Sequence, residues 1–459
     1  MTTTDTLAAK AEGTRTLFRF ATAGSVDDGK STLVGRLLYD AKAILADQLD
    51  AVARTSAERG FGDDEQGLDL ALLTDGLRAE REQGITIDVA YRYFATDTRN
   101  FVLADCPGHV EYTKNTVTGA STADAVVLLV DARHGVLEQT RRHLAVTRLL
   151  RVPHVVVAVN KIDLVDYDEN AYRAITHDLQ SIADDLGVDG RLTAVPVSAL
   201  KGDNVVTGSD RTPWYSGPTL LGLLESLPDK SQVMRSAEPF RLAVQSVIRP
   251  QGGLAPGLDP DDFRDFRGYT GQVSSGAIRV GDEIQIAATG TTAHVTALWN
   301  GSHRMETARS PQAVTVEIDS DLDISRGTML CAAATAPPTL STFDARVAWL
   351  SDREITAGSK VLVKHGTATV KAIITEIGGR LDLQDLAERP AASLGLNDIG
   401  SVTIRTASPL PVEDYEAHRH TGAFLVIDPR SGDTWGAGIA SRQPVPQPEE
   451  FGDWLESSE

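Results

Sequence analysis

Cysteine, positive charge and long apolar runs are all scarce in this sequence. Its two cysteines, Cys106 and Cys331, sit far apart, with no CxxC and no Cys/His cluster near either. That excludes a disulfide scaffold and a structural zinc site, though not a single bridge between the two. Lys and Arg total 44 against 64 Asp and Glu, a formal charge of −20. The deficit is even: 24 basic and 34 acidic side chains up to residue 230, then 20 and 30 after it, −10 in each part. A chain with no net-positive half is a poor candidate for tracking a phosphate backbone, so no nucleic-acid partner is expected. The apolar run Ala125–Val130 has six residues, against roughly 20 for a bilayer crossing. Met1–Thr16 is polar and lacks the apolar core of a secretion signal. A cytoplasmic protein without a membrane partner is expected.

What is present is enough for a large folded chain. The length of 459 residues, at roughly 150 per domain, points to about three domains, and 41% hydrophobic residues can bury a core. Up to about residue 230, apolar strands (Leu17–Ala23, Phe101–Ala104, Ala125–Val130, His154–Val159, Thr193–Val197) alternate with helical spacing at Ser31–Leu38, Leu137–Leu150 and Ala171–Leu186. Asp168 is the expected cap of the last helix. Nearly continuous apolar strands separated by helices predict an α/β doubly wound, mostly parallel sheet. After Leu227-Pro228 the runs shorten and Gly, Pro and Asp separate them, which predicts small antiparallel β-barrels. Pro337-Pro338 is the best boundary between two such barrels. The expected division is a tail at 1–16, an α/β domain at 17–230, barrels at 236–336 and 341–430, and a loose tail at 431–459.

Strand Leu17–Ala23 runs into Gly24-Ser25-Val26-Asp27-Asp28-Gly29-Lys30-Ser31, a full GxxxxGK[ST] pattern with the strand before it and helix after it that the chemistry requires. Its backbone N–H groups can turn inward around phosphate oxygens; Lys30 reaches the terminal phosphates and Ser31 can ligate Mg²⁺. A second strand delivers Asp105-Cys106-Pro107-Gly108, where Asp105 can hold Mg²⁺ through water and Gly108 can offer its N–H to a γ-phosphate. Asn160-Lys161-Ile162-Asp163 ends a later strand. A carboxylate at Asp163 can accept from N1 and N2 of guanine, a donor pair adenine lacks, with Asn160 and Lys161 supporting loop and base. Ser198-Ala199-Leu200 follows the next strand, and its backbone amides are candidates for the guanine oxygen. These elements in this order describe a GTP site.

The long polar stretch from about Tyr39 to Asp88 contains Arg81-Glu82-Gln83-Gly84-Ile85-Thr86, so Thr86 is the candidate switch residue closing over Mg²⁺ and γ-phosphate. His109 follows Gly108 directly and is the candidate for orienting the attacking water. Lys30, Thr86 and His109 are thus the expected catalytic set, and Ser31, Thr86 and Asp105 the expected Mg²⁺ set. Cys106 is read as a small buried hydrophobe in the site rather than a redox switch.

Together the motifs resemble the translational GTPase superfamily, typified by elongation factor Tu, with its Asp-Cys-Pro-Gly-His element and two β-barrels. Gly24–Leu33 departs from the His-Val-Asp-His-Gly-Lys-Thr form usual there and is similar to the GTPase (large) subunit of bacterial sulfate adenylyltransferase. Gly35-Arg36-Leu37-Leu38-Tyr39-Asp40, the stretch Glu80–Phe94, Asp265–Gly271, Asp323–Gly327 and Thr421–Asp428 carry the same likeness. Gln251–Arg264 departs from it as a Gly/Pro/Asp-rich insertion in the first barrel, cheap on a loop. The resemblance implies a GTP hydrolase with GTP and Mg²⁺ as cofactors. GTP hydrolysis would drive the first step of sulfate assimilation, adenylyl sulfate and pyrophosphate from ATP and sulfate, at a separate small subunit in a heterodimer or higher heteromer. Some relatives carry a fused adenylylsulfate kinase; no second P-loop follows here, so that activity is not expected. The alternatives are an elongation factor delivering aminoacyl-tRNA, which the acidic second half and altered P-loop disfavour, and a free-standing regulatory GTPase.

Overall fold

The computed structural model describes residues 16–441 apart from 45, 59–67, 74–88, 109–112, 187–191, 230–237, 251–260, 262–263 and 383–386. Most of the insertion at Gln251–Arg264 and the residues after 441 lie outside that description. The chain divides into two compact units, with the main break between Val233 and Met234.

The first unit is a six-stranded sheet in the order β2-β3-β1-β4-β5-β6, with β1 at Thr16–Ala23, β2 at Ala90–Ala95, β3 at Arg99–Asp105, β4 at Ala125–Asp131, β5 at His154–Asn160 and β6 at Leu192–Pro196. Every neighbour pair is parallel except β2 with β3. Strand β4, AVVLLVD, is buried at all seven positions, as a central parallel strand covered on both faces must be. Helices α1 (Lys30–Asp40), α2 (Ala46–Glu58), α3 (Thr113–Ser121), α4 (Glu138–Leu149), α5 (Glu169–Asp185) and α6 (Leu220–Ser226) complete it. Thr16 opens β1, one residue before the strand expected at Leu17–Ala23. Under α1 and α6, Phe18, Phe20, Phe94 and Phe101 form the aromatic centre of the core, Phe94 stacked on Phe101 at 4.9 Å. The Arg99 guanidinium donates to the carbonyls of Leu224 (2.9 Å) and Leu227 (2.7 Å), closing the C-terminal end of α6. Asp168 caps α5, its carboxylate accepting from the Asn170 N–H.

The second unit holds two closed antiparallel barrels. Strand Glu283–Ile286 pairs with Met329–Ala332, then Arg241–Ile248, Gly268–Ser275, Ala313–Ile318 and Thr292–Asn300, which returns to the first. The second ring runs Lys360–His365, Ala423–Ile427, Thr434–Ala440, Thr339–Trp349, Ile399–Pro411 and Ala368–Leu381, again closed. Closure leaves neither ring an edge, and residues such as Ala293, Val295 and, past a bulge, Leu298 face inward. One expectation is corrected here. Residues 434–440 are not tail but a barrel strand, pairing on both sides. The strand, TWGAGIA, is too glycine-rich to show apolar alternation. Gly438 packs so close to the Phe424 ring that a Cβ there would lie 2.2 Å from it.

Candidate nucleotide site

The site forms at the carboxyl ends of β1, β3 and β5, where loops leave a parallel sheet and face the same side. The P-loop turns through Asp27 (φ 66°) and Gly29 (φ 90°) before α1 begins at Lys30. A Cβ on Gly29 would lie 2.5 Å from Asn160 Nδ2, so this position requires glycine twice over. The Ser25 N–H donates to Asp28 Oδ2 at 2.6 Å, while the buried Ser25 hydroxyl has no partner among the described residues. Lys30 donates to the carbonyls of Gly24 (3.0 Å) and Ser25 (2.7 Å). Burial pulls its ammonium below the ordinary value, against the carboxylates of Asp28 and Asp105. Burial likewise raises the Asp28 carboxyl, even though the Ser25 N–H bond opposes it. A buried cation bonded, among the described residues, to neutral carbonyls and standing beside an orphaned hydroxyl fits a cradle for phosphate.

The second strand end meets the first. Asp105, at the end of β3, accepts from Thr22 Oγ1 of β1 at 2.8 Å and is buried. Gly108 lies against the P-loop: a Cβ there would come within 2.2 Å of Lys30 Nζ. Cys106 is fully buried, and burial together with the Asp105 charge pushes its thiol far up, so it packs as a small inert side chain. Ser31 is half-buried on the first turn of α1. Thr86 and His109 lie outside the described residues.

The candidate guanine loop is tied to the P-loop by Asn160. Its Nδ2 donates to the Asp28 carbonyl at 2.7 Å, and its Oδ1 accepts from the Ala199 N–H at 2.9 Å. Lys161, at φ 60°, sends its ammonium to Asp131 Oδ2 at 2.9 Å and to the Asp27 carbonyl. Ile162 is buried and anchors the short turn Ile162–Val165, on which Asp163 stands half-buried; Val26 is exposed. One detail departs from expectation. The Ser198 N–H already donates to the Asp203 carbonyl at 3.1 Å and that of Ala199 to Asn160, because the loop closes on itself. Among the described residues the amide of Leu200 has no such bond, which makes it the candidate for a guanine oxygen.

Sequence reasoning missed two supports. Arg36 of α1, buried, donates to the carbonyls of Ala199 (3.2 Å) and Leu200 (2.6 Å), holding that loop from below. Asp131 ends β4 as Asp105 ends β3, and the same signal, an acid at the end of an apolar strand, marks both.

Two family models match the chain. The elongation factor Tu GTP binding domain covers residues 15–236, and the GTP-eEF1A C-terminal domain-like model covers 342–441, past the expected end of the second barrel at 430. The bifunctional enzyme CysN/CysC of Mycobacterium tuberculosis is 48% identical over 429 residues, 93% of this chain and 67% of that enzyme. Sulfate adenylyltransferase subunit 1 of Cellvibrio japonicus is 43% identical, covering 93% of this chain and 87% of its own. The same subunit of a Sulfurovum species is 44% identical, at 92% and 86%. At that identity and coverage, on an elongation factor Tu-type GTP-binding domain, the chain belongs to the sulfate adenylyltransferase subunit 1 family.

Proposed function

We propose that this chain is the GTPase subunit of sulfate adenylyltransferase. GTP hydrolysis here drives synthesis of adenylyl sulfate and pyrophosphate from ATP and sulfate at a partner small subunit. The observation that carries the reading is the Asn160 side chain, bonded at once to the P-loop and to the Ala199 loop, which joins phosphate cradle and guanine loop into one site.

Within that site Gly24 to Ser31 wrap the phosphates and Lys30 moves from loop carbonyls to the terminal phosphate oxygens. Asp105 and Ser31, with Thr86, would hold Mg²⁺, which when bound neutralises charge across the β- and γ-phosphates. Gly108 offers its N–H to the γ-phosphate, with Cys106 and Pro107 fixing the strand end, and His109 orients the attacking water. Asp163 accepts from guanine N1 and N2. Nucleotide state reaches the partner through the switch residues, by differential contacts in the two states. The acidic second half disfavours aminoacyl-tRNA delivery, and relatives at 43–48% identity disfavour a free-standing regulator.

The test follows labelled sulfate and GTP in parallel, with each subunit alone and together. The isolated chain should form no adenylyl sulfate and hydrolyse GTP slowly; the complex should make adenylyl sulfate in step with GTP turnover. Synthesis by this chain alone, or synthesis in the complex that ignores GTP, would refute the proposal. His109→Ala should leave binding intact and slow hydrolysis by roughly 10²–10⁴.

A further inference from the structure

We infer that Asp131 and Arg133, which stand outside the nucleotide motifs, form a positioning pair that presets Lys161 for guanine binding; the inference rests on reading residues 160–163 as the guanine loop.

Asp131 is only 2% exposed, yet it is an acid at the end of the most buried strand of the sheet. Such a carboxylate must be satisfied on both oxygens. Oδ1 accepts from the Arg133 backbone N–H (2.9 Å) and Nε (3.0 Å). Oδ2 accepts from Arg133 NH2 (2.7 Å) and from Lys161 Nζ (2.9 Å). His134 Nδ1 stands 3.7 Å from the same oxygen. Burial alone would raise this carboxyl, but the bonds from Arg133 and Lys161 outweigh it and hold the group ionised.

Consider what the geometry does to Lys161. A lysine head is a point charge on a stem of four rotatable carbons, and fixing such a chain on binding is costly. Here the head is pinned from two sides before any ligand arrives, by Asp131 of β4 and by the Asp27 carbonyl of the P-loop. The backbone at Lys161 sits in the left-handed region, φ 60°, which a non-glycine residue adopts only when held there. The stem is thereby laid beside Gly29, where a Cβ would lie 3.8 Å from Lys161 Cε. A flat apolar stem already in place is a surface for a purine, and its ordering entropy does not come out of affinity. Arg133 acts one step further out. Its guanidinium is exposed and in electrostatic range of Asp163, but its fork grips Asp131 so that one oxygen stays aimed at Lys161.

The experiment uses the full chain and a fluorescent guanosine diphosphate chased with excess unlabelled nucleotide. Asp131→Asn and Lys161→Met should each speed release by about tenfold to a hundredfold, the range of a lost bond to a charged group. The double variant should release no faster than the faster single, because both changes undo one contact. Wild-type release in Asp131→Asn overturns the inference. So does multiplication of the two effects, the result expected of an Asp131 that merely supports the fold. Melting without nucleotide reports folding. Should Asp131→Asn fail to fold, the exposed Arg133→Ala carries the test, with about threefold faster release in favour and wild-type release against. Asp163→Asn separates this from the underlying reading. If it gains no affinity for xanthosine diphosphate, the guanine loop itself is misread; if it does and Asp131→Asn behaves as wild type, only the positioning pair is wrong.

Discussion

Lys30 in the first unit and Arg241 in the second are both buried cations, and their partners differ. Lys30 is held by two neutral carbonyls. Arg241 grips Glu413 through Nε (3.0 Å) and NH2 (2.8 Å) and also donates to the carbonyls of Phe240 and Thr335. Glu413 in turn accepts from Thr421 Oγ1 at 2.6 Å. Burial alone would raise its carboxyl, yet the bonds from Arg241 and Thr421 hold it below the ordinary range. Under the proposed function, the first cation keeps its charge for a phosphate that comes and goes. The second has spent it within the protein, on a strand and a loop of two different barrels. Under that function one arrangement serves binding at some cost in stability, and the other serves shape.

The largest test of that contrast is Arg241→Met. It leaves Glu413 buried without its partner and should cost about 3–5 kcal/mol in urea unfolding. Arg241→Met with Glu413→Leu should recover most of the loss, since an apolar pair has no charge to desolvate. GDP affinity per folded molecule should not change in either. Lys30→Ala should do the reverse. Nucleotide affinity should fall by roughly 10²–10³-fold, while melting without nucleotide stays level or rises as a poorly solvated cation is removed. A lower melting point with intact binding would break the comparison.

The same contrast governs how much could be read from the chain. Strand-end motifs are local: Gly24–Ser31, Asp105–Gly108 and Asn160–Asp163 each lie within a few residues, and a parallel sheet delivers such ends to one side by its topology. The burial of β1, β3, β4 and β5 was legible for the same reason, as continuous apolar text. Long-range partners were not. Arg241 and Glu413 lie 172 residues apart, and nothing near either announces the other. Arg36 looks like any polar helix residue until the Ala199 loop closes over it. Strand 434–440 hid because glycine carries no pattern, and β2 because its exposed Tyr91 and Tyr93 sit on an edge strand following a long polar stretch.

A smaller effect separates two buried histidines, one per unit. Burial first, then the charges of Lys30 and Arg142, lower His143 from an ordinary value near 6.5 to about 3. Its Nδ1 has no partner among the described residues. His365 is also lowered by burial, but the Thr421 carbonyl, which its Nε2 meets at 2.7 Å, and the Glu413 charge oppose the shift. In each the folded value lies below the unfolded one, so the native state prefers the neutral ring. The associated stability is complete above about pH 6.5 and is lost as the pH falls toward the folded value. For His143 the loss at pH 5 is about 2 kcal/mol. His143→Leu should flatten the decline of the melting temperature between pH 7 and pH 5 more than His365→Leu does. Equal slopes in the two variants would mean that His143 is lowered no further than His365.

The smallest expected effect concerns a device that only the first unit uses among the described residues, a side-chain cap on a long helix. Asp168 Oδ1 accepts from the Asn170 N–H at 3.0 Å, satisfying one of the donors that the first turn of α5 cannot satisfy itself, and its charge faces the positive end of the helix dipole. Glu169 in the same turn adds to that charge. Asp168→Ala removes the acceptor and leaves water to replace it, because the cap is exposed, so the cost should be about 1 kcal/mol. Asp168→Ser should restore most of it, since a hydroxyl accepts the same bond without the charge. The neighbouring Tyr167 sets an upper limit. Its hydroxyl donates to Asp203 at 2.8 Å, and Asp203 takes the Ser198 N–H on its backbone carbonyl, so the chain segment beside the cap leads to the guanine loop. If Asp168 served that loop as well as the helix, Asp168→Ala would raise GDP release in step with the lost stability. Expected instead is a shift in the urea midpoint with release unchanged, and a faster release would move Asp168 from the helix cap to the nucleotide site.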